Sequence, residues 1–167
     1  MPLRLTIDTN CINVRQADAF MNQLEGFARQ GLIEITTTFS LGKDLAFDET
    51  KLGEARRIKA SRLPQARSGF IIGRSTVGGP DVIGGPDIYA RVDPIAEIIA
   101  PGIAWEKIYT NTQRDILHLA AHLTYGWEIF LTGDKGILDH ASELAALGIR
   151  VMTPQAALQC LTDQGIC

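Results

Sequence analysis

The alternation of apolar and polar residues divides the first part of the chain into two strands and a helix. Residues 3–7 alternate between the two kinds of residue and lead directly to Asp8, as in a strand that runs into a polar turn. Residues 17–30 repeat apolar side chains at spacings of three and four, which predicts an amphipathic helix. The β-branched run over residues 33–38 predicts the second strand. A carboxylate is therefore expected at the carboxyl end of the first strand.

The second half of the chain continues the alternation of strand and helix. Its predicted elements are a helix capped by Thr112 and ending at Tyr125, a buried strand over 128–132, a helix over 136–147, a short strand over 149–152 and a terminal helix over 154–162. Strands separated by helices of ordinary length are typical of a parallel sheet that is covered on both faces. The prediction is one α/β domain over residues 1–167, in which ligands bind beyond the carboxyl ends of the strands.

The region between these halves is rich in glycine and proline. Residues 78–81, Gly-Gly-Pro-Asp, recur as residues 84–87, which is a turn sequence twice over. Two copies are too few for a solenoid repeat. Residues 68–90 are therefore expected to form a long loop or a short hairpin, and a short apolar segment follows over 95–100.

The composition is that of a globular protein, because 46% hydrophobic residues suffice for a full core in 167 residues. The sequence contains no run of about 18 apolar residues, so a membrane span is not expected. The first residues lead into a predicted strand instead of an export signal. Cys11, Cys160 and Cys167 form no C-x-x-C pair, so neither a disulfide framework nor a thiolate zinc site is expected. A cytoplasmic location fits these features.

The charge is unevenly distributed along the chain. Residues 51–74 hold seven basic residues and one acidic residue, a net charge of +6, which leaves −9 for the rest of a chain whose formal net charge is −3. Such a basic block can hold a phosphate backbone, and the acidic remainder can hold a metal ion. A solvated helix face is the alternative interpretation of the block.

Three aspartates are expected to meet at the carboxyl ends of the strands. Asp8 follows the first strand, Asp134 follows the strand over 128–132, and Asp115 can project from the start of its helix into the same crevice. Carboxylates this close raise one another's pKa unless cations compensate them, which predicts a divalent cation. Oxygen ligands suit Mg²⁺ or Mn²⁺, which can orient a phosphate and activate water for in-line attack. The sequence therefore predicts phosphodiester hydrolysis without a covalent nucleophile.

Three short motifs in this order resemble the PIN-domain nucleases. The motifs are Asp8-Thr9-Asn10, the helical segment 115–122 and Thr132-Gly133-Asp134-Lys135. The resemblance covers most of the chain and implies a three-layer α/β/α sandwich with a central parallel sheet and a metal-dependent endoribonuclease activity. It also implies that Asp8, Asp115 and Asp134 are catalytic ligands of Mg²⁺ or Mn²⁺, and that Asn10 or Thr132 orients them or the attacking water.

A fourth acidic residue is implied by the same resemblance, on the helix after the second strand. Asp44 fits the offset best as a catalytic and metal-binding carboxylate, and Asp48, Glu49 and Glu54 are the alternatives. Asp139 is a candidate outer carboxylate, with a solvated helix position as its alternative.

The expected partners follow from the basic segment and the family together. Arg56, Arg57 and Arg62 are predicted to contact the RNA backbone, and His118 is the histidine expected nearest to the site, one turn from Asp115. The family contains small toxin ribonucleases, so an antitoxin protein and a homodimer are expected partners. This chain is longer, with a Gly/Pro-rich insertion at about 68–102, which is expected either to grip substrate, to self-associate or to be a disordered decoration.

A phosphatase is the main rival enzyme. Residues 133–139 match the late G-D-x-x-x-x-D segment of the haloacid-dehalogenase-like phosphatases. That family has a second aspartate two residues after the first to protonate the leaving group, and this chain has Asn10 there. The match is therefore incomplete.

Two further interpretations concern the histidines and the fold itself. His118 and His122 have the spacing of a zinc pair, but Leu119 stands where a zinc protease has its glutamate, so a structural pair is the alternative. Cys11 is expected to be a small buried residue because neighbouring carboxylates discourage its thiolate. A non-catalytic nucleic-acid-binding or protein-binding module that keeps the fold also remains a hypothesis.

Overall fold

The structure is a computed structural model that describes residues 2–14, 16–38, 41, 45, 49–66 and 87–166. Five parallel strands among these residues form one sheet: β1 (Leu3–Ile7), β2 (Ile33–Thr38), β3 (Gln65–Ala66), β4 (Ile129–Leu131) and β5 (Val151–Met152). The strand order is β3-β2-β1-β4-β5, so β1 is central.

Helices cover both faces of this sheet. The described helices are α1 (Ala19–Arg29), α2 (Gly53–Ala60), α3 (Val92–Ile99), α4 (Thr110–Tyr125), α5 (Lys135–Leu138), α6 (Ala141–Ala146) and α7 (Pro154–Asp163). One apolar cluster joins the sheet to α1 and α7, and a second joins it to α3, α4 and α6. The predicted three-layer α/β/α sandwich with a central parallel sheet is therefore confirmed. In the described part of the chain, no helix combines the length and the apolar character that a membrane crossing requires.

The face under α1 and α7 is a hydrocarbon layer. Successive side chains of a strand point to opposite faces, and Leu5 and Ile7 of β1 both pack into this layer. Met21 and Leu24 of α1 meet them there, fully buried. The apolar stripe predicted from the sequence is thus the side of α1 that packs on the sheet.

The face under α4 contains buried hydrogen bonds as well as hydrocarbon. His122 shares a hydrogen bond of 2.8 Å between its Nδ1 and Oγ1 of Thr6, and His118 shares one between its Nδ1 and Oγ1 of Thr38. All four side chains are fully buried. The two histidines therefore fasten α4 to β1 and β2.

The strand order reverses at β1, because later strands are added on its other side. From β1 the chain proceeds to β2 on one side, and it returns later to pair β4 with the other side of β1. Such a switch leaves a crevice beyond the carboxyl ends of the strands. Asp8 and Asp134 follow β1 and β4 at this edge.

Two local predictions are wrong, and one segment for which no element was predicted, residues 95–100, is mostly helical. Helix α4 begins at Thr110 with Tyr109 as its N-cap, so Thr112 lies inside the helix. The predicted helix over 136–147 is divided into α5 and α6, because the chain turns after Leu138, where the N–H of His140 donates to the carbonyl of Ile137. The apolar segment 95–100 belongs mostly to helix α3, which packs on α4 and brings the end of the predicted insertion into the core.

The helix end at Gly126 is confirmed. Its φ of 62° places it in the left-handed region, where glycine is the residue without steric penalty. Residues 78–81 and 84–86 of the Gly-Gly-Pro-Asp repeat lie outside the described residues, as do Asp44 and its alternative Asp48.

Candidate active site at the carboxyl ends of the strands

A cleft of about 410 Å³ opens beyond the carboxyl ends of β1 and β4. Its lining is almost entirely polar or charged and consists of Asp8, Thr9, Asn10, Arg56, Asn111, Arg114, Asp115 and Asp134. Three of the four predicted carboxylates and one predicted RNA-contact arginine therefore line the same cleft. The fold brings together residues that are far apart in the sequence.

Asp8 is the most buried carboxylate of the cleft, at 5% exposure. Its Oδ1 accepts a hydrogen bond of 2.6 Å from the N–H of Thr9. Its Oδ2 accepts two, of 2.8 Å from Nδ2 of Asn10 and 2.7 Å from Oγ1 of Thr132. An ionised carboxylate has about four acceptor positions, so these three bonds leave one, on Oδ1.

Asn10 and Thr132 connect the end of β1 to the end of β4. Oδ1 of Asn10 accepts a hydrogen bond of 2.8 Å from the N–H of Gly133, and its Nδ2 donates to Oγ1 of Thr132 at 3.2 Å. The N–H of Asp134 donates to the same hydroxyl at 2.9 Å. We call Asp8, Asn10, Thr132, Gly133 and Asp134 the strand-end network. Both residues predicted to orient the carboxylates are members of it.

Asp134 is at once a site residue and a helix cap. Its Oδ1 accepts a hydrogen bond of 3.3 Å from the N–H of Ile137, which satisfies one of the unpaired donors at the start of α5. The side chain is exposed. A Cβ at Gly136 would lie 3.0 Å from Oδ1, so glycine at that position leaves room for this carboxylate.

The opposite side of the cleft comes from two helices. Helix α4 contributes Asn111, Arg114 and Asp115. Spacings of three and four residues place these side chains on one side of the helix. Arg56 comes from α2. We call these four residues the helix wall. Sequence reasoning missed Asn111 and Arg114, although their spacing from Asp115 could have indicated them.

The donor set of the cleft fits a hard divalent cation. Within the residues that the structure describes, no group of three or more His, Cys, Asp or Glu side chains is placed to hold a metal ion. Mg²⁺ does not require such a cage, because it keeps several waters and is usually bound through one or two carboxylates and the phosphates of a substrate. The remaining acceptor position of Asp8, with Asp115 and Asp134 in the same cleft, suits that mode of binding. The chemistry of the oxygen donors therefore fits Mg²⁺ or Mn²⁺.

Cys11 lies beside this site but cannot act as its nucleophile. Burial, with smaller contributions from the negative charges of Asp8 and Asp18, raises the pKa of its thiol to about 12. Its Sγ donates to Oδ1 of Asn10 at 3.2 Å. The buried, protonated cysteine expected from the sequence is what the structure contains.

Four other predicted site residues lie outside the lining of the cleft. Arg57 donates from Nη1 to the carbonyl of Leu45 at 2.8 Å, and Arg62 is exposed beside a groove next to α1. His118 is buried against β2, and Asp139 is the exposed C-cap of α5. Arg56 is thus the one member of the predicted arginine trio that lines the cleft.

A larger cavity of about 870 Å³ lies between α1 and α2. Its walls are mainly aliphatic, and of its two acidic side chains Glu25 forms a salt bridge of 2.5 Å with Lys59. It lacks the convergence of carboxylates and amides that chemistry on a phosphate requires. The smaller polar cleft is therefore the candidate active site.

Comparisons with known proteins add no family to this geometry. No family model matches the chain, and no curated protein matches it. The cleft and the residues that line it are therefore the basis for assigning a function.

Proposed function

We propose that the protein is a metal-dependent endoribonuclease that hydrolyses phosphodiester bonds in the cleft between the strand-end network and the helix wall. One observation carries the proposal: Asp8, Asp115 and Asp134 line a single cleft together with Arg56 and Arg114. Carboxylates that can hold a hard cation and arginines that can bind phosphate oxygens are the two components that phosphodiester hydrolysis needs.

The strand-end network would fix the direction in which the Asp8 carboxylate points. This carboxylate accepts hydrogen bonds from a backbone N–H, an amide and a hydroxyl. Thr132 donates its only proton to Asp8 and accepts from Asn10 and from the N–H of Asp134. A preorganised carboxylate needs no rearrangement when the substrate arrives.

The helix wall would bind the substrate. The guanidinium groups of Arg56 and Arg114 are suited to two-pronged contacts with phosphate oxygens, and Asn111 adds an amide donor. Their positive charge would also compensate part of the repulsion between an anionic backbone and three carboxylates. A divalent ion bound through one or two of the carboxylates of Asp8, Asp115 and Asp134 would supply Lewis-acid stabilisation of the phosphate and make a neighbouring water a stronger nucleophile.

Water is the nucleophile in this proposal, because the two other candidates considered among the described residues, Cys11 and Asp8, do not suit that role. Cys11 is protonated and buried. A phosphatase that is phosphorylated on Asp8 would need an acid at position 10, where Asn10 donates to Asp8 and has no proton to give to a leaving group. RNA as the substrate and a role as a toxin with an antitoxin partner rest on the PIN-like motifs and the basic segment alone. A cytoplasmic location rests on the cysteine pattern of the sequence.

Cleavage of a fluorescently labelled single-stranded RNA in Mn²⁺ tests the proposal. We expect wild-type protein to cleave it and Asp8→Asn and Asp134→Asn to lose at least about 100-fold in rate, because each removes a charge that faces the ion. Asp163→Asn is the matched control, since it removes an exposed aspartate at the end of α7, and it should cleave normally. Circular dichroism would show that all three variants are folded.

The outcomes separate the rival functions. Equal cleavage by wild type and both cleft variants would overturn the proposal. Release of phosphate from p-nitrophenyl phosphate, with transient phosphorylation of Asp8, would favour the phosphatase. Binding of RNA without Mn²⁺-dependent cleavage would favour the non-catalytic module.

A further inference from the structure

The cavity between α1 and α2 has the size and the walls of a ligand-binding site. Its volume of about 870 Å³ lies within the range of about 300–1,000 Å³ that is typical of small-molecule pockets. The sheet forms its floor through Ile7, Ile33 and Ile35. Ala28 of α1 and Ile58 of α2 belong to its walls. None of the described residues lines both this cavity and the polar cleft, so the two are separate sites.

The cavity narrows towards the sheet. Ile7, Ile33 and Ile35 are each at most 5% exposed although they line it, whereas Ile58 at its rim is 48% exposed. An α-helix with its side chains is about 10–12 Å across, so a helix of another protein would lie on the rim without reaching this floor. A single alkyl chain is narrower and can follow the cavity to the sheet. The shape therefore favours a slender apolar ligand.

The charged side chains of the cavity favour an anionic head group at its mouth. Glu25 and Lys59 form a salt bridge of 2.5 Å and neutralise each other. The exposed side chains of Arg29 and Arg62 also line the cavity, and in the part of the chain that the structure describes neither guanidinium has a hydrogen bond or an ion pair. With Glu34, these two arginines leave a net charge of +1. One negative charge would balance it and would stay at the mouth, because burying a charge among apolar walls is unfavourable.

We infer that this cavity binds a single-chain amphiphile with one negative charge, of the class of the long-chain carboxylates. The alkyl chain covers the apolar floor, and the carboxylate pairs with the guanidinium groups of Arg29 and Arg62. Guanidinium groups are suited to two-pronged binding of a carboxylate. No residue of the cleft takes part, so this site is independent of the proposed nuclease activity.

Isothermal titration calorimetry with octanoate, decanoate and dodecanoate, each below its micelle-forming concentration, tests the apolar part of the site. Burial of one CH₂ group changes Kd about 4-fold, so each step of two carbons should tighten binding about 15-fold. A rise in the Tm of wild type with added decanoate would show that the folded protein is the species that binds.

Variants that fill the cavity test its location. Ala28→Phe and Ala55→Phe each add a ring from a different helix, and each should weaken decanoate binding at least about 10-fold, because a ring displaces more than two CH₂ groups. Two variants keep the test decisive if one of them does not fold. Ala145→Phe adds the same ring at an exposed position of α6 outside the cavity and should bind like wild type.

A comparison of decanoate with decanol tests the head group. Decanol keeps the chain but has no charge, so wild type should bind it roughly 3- to 10-fold more weakly than decanoate. The double variant Arg29→Gln, Arg62→Gln should lose the same factor for decanoate and should bind decanol like wild type. The control Arg91→Gln, Arg150→Gln removes two exposed arginines outside the cavity and should bind both ligands like wild type.

Absence of saturable decanoate binding by wild type would overturn the inference, and so would a Kd that does not depend on chain length. Equal affinity of wild type for decanoate and decanol, or unchanged decanoate binding by both cavity-filling variants, would do the same. A second copy of the chain is the other candidate occupant. Sedimentation velocity would reveal it as a wild-type dimer that the cavity-filling variants make monomeric, and this result would also contradict a ligand site.

Discussion

The two walls of the cleft are held in place in different ways. In the strand-end network, Asp8, Asn10 and Thr132 each take part in at least three side-chain hydrogen bonds. Three of these bonds join the end of β1 to the end of β4. Three residues of the helix wall instead belong to α4. Hydrogen bonds between buried histidine and threonine side chains hold this helix on the sheet. The first wall is suited to fixing a charge, and the second to meeting a substrate. Changes in the first should mainly lower kcat, and changes in the second should mainly raise KM.

The largest effect short of removing a carboxylate is expected for Thr132→Val. Valine keeps the shape of threonine but removes the hydroxyl that donates to Asp8 and accepts from Asn10. Groups that orient the ligands of a metal usually matter by about 10- to 100-fold, and we expect such a loss in kcat for Mn²⁺-dependent cleavage. Thr36→Val is the control, because its hydroxyl bonds only the carbonyl of Leu5 within the sheet. Equal activity of Thr132→Val and wild type would show that the network does not position the chemistry.

The stability of the packing between α4 and the sheet should depend on pH through His122. Burial lowers the pKa of His122 to about 3, and its Nε2 is buried without a hydrogen-bond partner. The unfolded chain takes up this proton near pH 6.5, whereas the folded protein does so only near pH 3. The contribution of neutral His122 to the free energy of unfolding is therefore fully present above pH 6.5, and it declines as the pH falls toward 3. We expect a loss of about 2 kcal/mol in the free energy of unfolding between pH 7.5 and pH 5.

Urea unfolding at these two pH values measures that loss. Glutamine at position 122 does not titrate in this range. His122→Gln should therefore reduce the difference in the free energy of unfolding between pH 7.5 and pH 5 by about 2 kcal/mol. His140→Gln, which changes a partly exposed histidine outside the sheet contact, should keep the difference of wild type. A wild-type pH dependence in His122→Gln would mean that other groups control the acid sensitivity.

The smallest effect is expected on the helix wall itself. Arg114→Ala removes one phosphate contact at the partly exposed side of the cleft, so we expect KM to rise roughly 5- to 10-fold while kcat changes less. The slope of log Kd for oligouridine against log salt concentration should fall by about 1, as one phosphate contact is lost. Arg150→Ala, an exposed arginine at the other end of the sheet, should change neither quantity. A fall in kcat with unchanged KM would place Arg114 in the chemistry instead of in binding.

Much of this fold could be predicted because its signals are local. The alternation over residues 3–7 and the short apolar strand before Asp134 determine which residues are buried, and both carboxylates then follow from the edge that parallel strands share. Helix α3 could not be found in the same way. Its apolar residues are too few to separate a helix from a strand by periodicity, and its partner α4 is distant in the sequence.

The helix wall shows where sequence reasoning ended. Arg56, Arg57 and Arg62 are equivalent in a count of charge, but only the packing of α2 decides that Arg56 lines the cleft while Arg57 bonds the carbonyl of Leu45. Arg114 was missed because its one signal along the chain, the position next to Asp115 on the same predicted helix, does not by itself distinguish it from a solvated arginine. Its significance comes from the strands across the cleft.

The measurement that tests the central claim most directly is anomalous scattering from crystals soaked in Mn²⁺, for wild type and for Asp8→Asn. We predict a Mn²⁺ peak in the cleft in contact with Oδ1 of Asp8 in wild type, and its absence in the variant. No peak in the cleft of wild type, or an undiminished peak in Asp8→Asn, would contradict the account.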